Sequence, residues 1–330
     1  MKRALALTMI AASMAAWAEG EMVGPTVYGK INLVVEQEDL GVAGKDSSTG
    51  VSSYASRFGL KGEAPLTDNL AAVYMLEFGV GIDSDGDNIT PRDQYVGLTG
   101  NWGTAMIGRR STLFKESNNA IGQFEDIQGD TQYLFPGDNR LTDSLHYKSP
   151  AFGQFSFGAS VIADGNSSQN DETGYGLAGF FGDAGLKKVD YFLTAGYEDQ
   201  VVGYTNAVVG GGVKLIGIEL RAMVQQSEND SSGKDATGWM ANVAYNLDKW
   251  RLKAQYGDVD TYELGWSKRK SGDTKLYYQN QLALGVDYSF TKTTQATLWY
   301  VLAERAPEAY IAAEQVDDTS YAAIGLVHVF

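Results

Sequence analysis

Leu70-Ala71-Ala72-Val73-Tyr74-Met75-Leu76-Glu77-Phe78 decides the fold. Leu70, Ala72, Tyr74, Leu76 and Phe78 share one parity, and Ala71, Met75 and Glu77 share the other. A period of two places successive side chains on opposite faces of a strand. An unbroken apolar face opposite one that carries a carboxylate suits a strand with lipid on one side and water on the other.

The same pattern extends outward in both directions. Upstream, Val27, Ile31, Leu33 and Val35 oppose Tyr28, Lys30 and Asn32, and Arg57, Gly59 and Lys61 oppose Phe58 and Leu60. Downstream, Leu145 and Tyr147 oppose Ser144, His146 and Lys148, and Phe155, Phe157, Ala159 and Val161 share a face. Strand-like runs then recur to Phe330, giving sixteen in all. Short connections such as Ile216-Gly217 and Thr291-Lys292-Thr293 alternate with longer polar ones such as 164–172, 227–236, 260–278 and 305–318. That alternation predicts an all-β, antiparallel transmembrane barrel with a polar interior, short turns at one end and longer loops at the other. Closure removes edge strands, which lipid does not tolerate.

Composition agrees. The 330 residues include 39 Gly and 19 Tyr but only 6 Pro, which favours strands and tight turns over disorder. A formal charge of −15 argues against a nucleic-acid partner. The absence of Cys removes disulfides and thiolate metal sites and fits export. Lys2-Arg3, the apolar run from Ala4 to Ala16 and Ala16-Trp17-Ala18 read as a cleaved leader over residues 1–18, leaving 19–330 as one barrel domain. Losing Lys2 and Arg3 takes the charge from −15 to −17. No later run is long and apolar enough for a membrane helix.

The longest interval between strands runs from Thr112 to Asp143 and holds Phe124-Glu125-Asp126-Ile127-Gln128-Gly129-Asp130. Parity predicts that Lys30, Arg57, Lys61, Arg140, Lys148, Arg251 and Lys253 point into the lumen. Arg92 shares parity with Val96 and Leu98, which should face lipid, so either a bulge intervenes or Arg92 sits above the membrane band. Asp83-Ser84-Asp85-Gly86-Asp87 has the first ligand spacings of a calcium loop, but Asn88 and Gln94 stand where Gly and Glu belong, so calcium binding there stays open. Gly210-Gly211-Gly212 lacks the Lys-Ser/Thr of a phosphate loop and reads as a place of close approach or bending within a strand. Only His146 and His328 could serve as a histidine base. His146 lies beside Ser144 and near Asp143, but side chains on adjacent positions of one strand do not by themselves supply a base held by a third group within reach of a nucleophile, so catalysis is not expected.

Several segments carry a family likeness. They are Val27-Tyr28-Gly29-Lys30-Ile31, Ser56-Arg57-Phe58-Gly59-Leu60-Lys61-Gly62-Glu63, Gln94 to Gly103, Ile107-Gly108-Arg109, Tyr147 to Gly153, and the ending Gly325 to Phe330. They resemble the trimeric general porins of Gram-negative outer membranes, in the proteobacterial and neisserial branch. The likeness implies a sixteen-stranded barrel, a homotrimer in outer-membrane lipid, and a third long loop folded into the pore, with no cofactor. It also implies that wall arginines, here Arg57, Arg140 and Arg92, face loop acids, here Glu125, Asp126 and Asp130, across a constriction. The likeness departs at Val327 and Val329, where the family often has basic residues.

The expected function is passive diffusion of ions and small hydrophilic solutes, with a weak anion preference or none. The alternatives are a solute-specific channel and a plugged structural or adhesive barrel.

Overall fold

The computed structural model describes residues 24–42, 44–86, 88–164, 172–271, 274–306 and 318–330. The expected leader lies outside them, as does Asp87 of the acidic loop.

One antiparallel sheet closes on itself. Its strands are β1 (Thr26–Asp39), β2 (Ser48–Ser53 and Arg57–Thr67), β3 (Leu70–Val80), β4 (Ile89–Gly100) and β5 (Gly103–Ser111). After the long loop come β6 (Arg140–Lys148), β7 (Phe155–Ile162), β8 (Gly174–Gly182), β9 (Tyr191–Val201), β10 (Tyr204–Leu215) and β11 (Ile218–Asn229). The series ends with β12 (Lys234–Leu247), β13 (Trp250–Asp258), β14 (Tyr278–Ser289), β15 (Thr294–Arg305) and β16 (Thr319–Val329). The two segments of β2 count as one strand because both pair with β1, the first with Leu33 to Glu38 and the second with Thr26 to Lys30. Between them Ala55 takes φ 49°, and the break is held by Tyr54 N–H on the Asn32 carbonyl and Asn32 N–H on Ser56 Oγ. Closure is by β1 on β16, from Lys30 opposite Val329 to Asp39 opposite Ser320. Phe330 completes the seam by exchanging backbone hydrogen bonds with Gly29. The closed ladder leaves no sheet edge to be desolvated in lipid, where an unpaired backbone group costs several kcal/mol.

The outside is apolar and the inside polar. Val27, Leu193 and Val209 are 63%, 60% and 64% exposed, whereas Asn32, Glu77, Asn206, Gln225 and Gln281 are buried. This inversion is what a barrel with lipid outside requires.

Three expectations about connections need correction. β9 and β10 are joined by Val202-Gly203 alone, at the end where a longer loop was expected. Both residues have positive φ, 57° and 78°, the geometry whose twist matches flanking hairpin strands. The connection read as 227–236 shrinks to 230–233, because β11 and β12 stay paired out to Asn229 and Lys234. The long loop ends at Asn139 rather than Asp143, since Arg140 and Leu141 already pair with Ser111 and Arg110 of β5.

Candidate functional site

The loop between β5 and β6, residues 112–139, packs against the inner wall of the barrel. It opens with α1 (Leu113–Asn119), capped by Thr112, whose side chain accepts from Lys115 N–H. The loop's apolar side chains sit where the wall has glycine. A Cβ on Gly158 would lie 2.1 Å from Leu113, on Gly196 3.0 Å from Phe114, on Gly210 2.7 Å from Ile121, on Gly257 2.7 Å from Leu134, and on Gly238 2.7 Å from Phe135. Gly210 thus provides the close approach expected of the triple glycine. Leu113, Phe114, Ile121, Leu134 and Phe135 are almost wholly buried as a result.

Side chains of β11 to β14 grip the loop backbone. Arg221 donates to Ala120 O, Gln225 to Pro136 O, Asn242 to Ile121 O, Gln255 to Gly129 O and Gln281 to Gln128 O. Loop carbonyls taken out of water on that side therefore keep hydrogen-bond donors. Arg251 and Lys253, expected in the lumen, do point inward, but behind the loop. Arg251 donates to Gln123 and pairs with Glu219, and Lys253 pairs with Asp287 beneath the Phe124 ring.

The loop's other side faces β1 to β6 across a cavity of about 750 Å³. Charges line both banks. On the wall, Arg92 Nε donates to Glu77 Oε1 at 2.6 Å, Arg57 Nε lies 3.6 Å from Glu77 Oε2, and Arg140 Nε donates to Asp93 at 2.9 Å. From the loop, Glu116 pairs with Arg110 and Lys148, and Lys115 pairs with Asp138. Asp126 reaches the far wall, accepting from Lys30 Nζ at 2.9 Å and Arg57 Nη1 at 3.2 Å. Lys61 lies over the Tyr28 ring, exposed on the same strand as Arg57.

Arg92 enters this space through a bulge. Pairing of β3 with β4 passes from Leu76 opposite Gln94 to Phe78 opposite Pro91, so Arg92 and Asp93 together stand opposite Glu77. The extra residue lets both neighbours turn inward.

The three loop acids behave differently. Burial opposes ionisation of Asp126, but Lys30 and Arg57 outweigh it and hold the pKa at about 2. Burial, and next the charge of Asp138, push Asp130 up to about 6. Asp130 shapes the loop: it accepts from the N–H groups of Asp126 and Gln132, capping a 3₁₀ turn at Thr131–Tyr133. Glu125 is pushed well above the ordinary carboxylate range, first by burial and then by Asp130 and Asp126. Of the expected loop acids, Asp126 alone forms an ion pair with the wall arginines. Sequence reasoning did not nominate Glu77, Asp93, Arg110, Lys115, Glu116 or Asp138. Glu77 was visible as an inward carboxylate by parity, while Asp93 was hidden by the bulge.

A sixteen-stranded barrel with water inside, apolar residues outside and a charged loop against its inner wall narrows the choice of relatives. The description Gram-negative porin matches residues 4–304. The chain belongs to the Gram-negative porin family. It is 26% identical over 328 residues to the major outer membrane protein P.IB of Neisseria sicca, covering 88% of this chain and 91% of that one. Among solved structures it is similar to the anion-selective porin from Comamonas acidovorans, with TM-score 0.73 and 20% identity over 93% of this chain and 99% of that one. It is also similar to OmpT of Vibrio cholerae in a trimer form, with TM-score 0.68 and 17% identity over 93% and 100% of the two chains. The porin is an outer-membrane channel for ions and small hydrophilic solutes.

Proposed function

We propose that the gap between residues 112–139 and the β1–β6 wall is the constriction of this porin, and that it admits solutes by size and fixed charge without catalysing a reaction. The observation that carries this reading is the division of charge across one cavity. Bases predominate on the wall, where Arg57, Arg92, Arg110, Arg140 and Lys148 stand with Glu77 and Asp93, and acids on the loop, where Glu116, Asp126 and Asp138 stand with Lys115. Opposed charges across a narrow aqueous gap set up a transverse field that orients water and favours polar over apolar solutes. Wall acids and loop acids together offset the wall bases, so the ion preference is weak, with the lean toward anions that Arg57 and Arg140 supply. Asp126, bridging Lys30 and Arg57, fastens the loop and fixes one end of the gap.

The assembly is a homotrimer in outer-membrane lipid. The trimer form of the similar OmpT and the apolar outer faces of β1, β2 and β16 support this. Residues 1–18 are the export leader, so the mature chain starts at Glu19. The experiment is single-channel recording in a planar bilayer, with Arg57→Ala and Arg140→Ala combined. Stepwise conductance with a shift toward cations supports the reading. Absence of conductance would support a plugged barrel, block by one class of solute would favour a specific channel, and an unmoved reversal potential would remove these arginines from the constriction.

A further inference from the structure

We propose that Glu77 and Asp93, two acids of the barrel wall itself, hold down the anion preference of the channel by neutralising the wall arginines. The inference rests on the constriction reading above and goes beyond it by assigning the governing residues.

Glu77 projects inward from β3 and is 7% exposed. Its Oε1 accepts from Arg92, and its Oε2 faces Arg57 and accepts from the Tyr28 hydroxyl at 3.0 Å. One carboxylate thus serves two guanidiniums. Asp93 accepts from Arg140 Nε and, at 2.8 Å, from Ser111 N–H. All these donors belong to the wall, so this neutralisation is built into the barrel and does not depend on where the loop sits. The bulge opposite Glu77 makes it possible: with regular alternation, either Arg92 or Asp93 would face lipid.

The consequence is electrostatic. Arg57, Arg92 and Arg140 set against Glu77 and Asp93 leave one positive charge, and Asp126 faces it from the loop. A permeating ion responds to the sum of fixed charges at the narrowest point. Removing Glu77 unmasks Arg57 and Arg92 together, and removing Asp93 unmasks Arg140. Either change adds one positive charge without touching an arginine.

The test is the reversal potential of the full-length assembled porin across a KCl gradient at low salt, where screening is weak. Glu77→Gln and Asp93→Asn are each expected to raise the chloride-to-potassium permeability ratio by roughly threefold to fivefold. Glu77→Asp keeps the charge and is expected to match wild type; a merely positional role would make Glu77→Asp and Glu77→Gln behave alike. If Arg57→Ala and Arg140→Ala move the reversal potential while Glu77→Gln and Asp93→Asn do not, the inference is overturned and the constriction stands. If none of the four moves it, the constriction reading itself fails. Because the chain has no cysteine, Glu77→Cys gives an independent check on the assembled channel. An anionic thiol reagent should return its selectivity toward wild type and a cationic one should drive it further toward anions; equal effects of the two reagents would also overturn the inference.

Discussion

Asp126→Asn isolates the loop's contribution to the field. Asp126 sits 2.9 Å from Lys30 Nζ and 3.2 Å from Arg57 Nη1, and its pKa of about 2 keeps it ionised wherever the channel is normally studied. The amide keeps the size and removes one negative charge from the gap. For an ion passing at ~5 Å in water, that charge is worth about 0.8 kcal/mol. Screening over a Debye length of about 10 Å at 0.1 M leaves roughly a twofold effect per ion. The anion gains what the cation loses, so the permeability ratio should move by about fivefold toward chloride. At 1 M salt, where the Debye length is about 3 Å, most of that shift should vanish. Wild type should show no change attributable to Asp126 between pH 7 and pH 4, because its share of stability is present above the unfolded pKa and is lost only as pH falls through about 2. The assay is the zero-current potential under a KCl gradient at both salt levels. A potential unchanged at 0.1 M would refute the placement of Asp126 in the conducting gap.

Other consequences concern the loop's hold on the wall. Asp130, raised to about 6, binds protons more readily in the folded protein than in the unfolded chain, so loop stability should rise as pH falls from 7 toward 5. Protease protection of residues 112–139 should increase over that range, and a decrease would contradict the sign. Gly238→Val should lower the thermal unfolding temperature, since a Cβ there lies 2.3 Å from Val259 Cβ and 2.7 Å from Phe135, an overpacking cost of ~1–3 kcal/mol. Gly179→Ala, whose Cβ would come no closer than 3.7 Å to Phe155, should leave that temperature unchanged. Gln255→Ala with Gln281→Ala strips donors from Gly129 O and Gln128 O, at roughly 1–3 kcal/mol for each orphaned group. The channel should then show more open-state noise and spontaneous closures; a record as quiet as wild type would mean the clamp does not restrain the loop.

Much of the barrel was legible because strand parity is a local property. Leu76 beside Glu77 already separates lipid from water, and the inward placement of Lys30, Arg57, Arg140 and Lys148 follows from the same rule. What parity could not give was anything that breaks it. The bulge at Arg92-Asp93 hid Asp93 and left Arg92 ambiguous. The Val202-Gly203 hairpin carries no strong loop signal in sequence, and it is the positive φ angles of the two residues that close the turn. Inside the loop there is no alternation to follow. Glu125, Asp126 and Asp130 therefore look equivalent in sequence, yet one bridges the wall, one caps a turn, and one is half-buried against its own loop. The wall glycines at 158, 196, 238 and 257 were also silent, because their purpose appears only when the loop's Leu and Phe side chains are laid over them.

The central claim is that solutes pass between the loop and the β1–β6 wall. Asn119, at the end of α1, lines that cavity and is uncharged. In a chain without cysteine, Asn119→Cys provides a single thiol on the loop's bank. Adding a bulky neutral thiol reagent during single-channel recording should reduce the conductance in discrete steps, one for each labelled channel in the assembly. Full labelling by mass spectrometry with unchanged conductance would contradict the account.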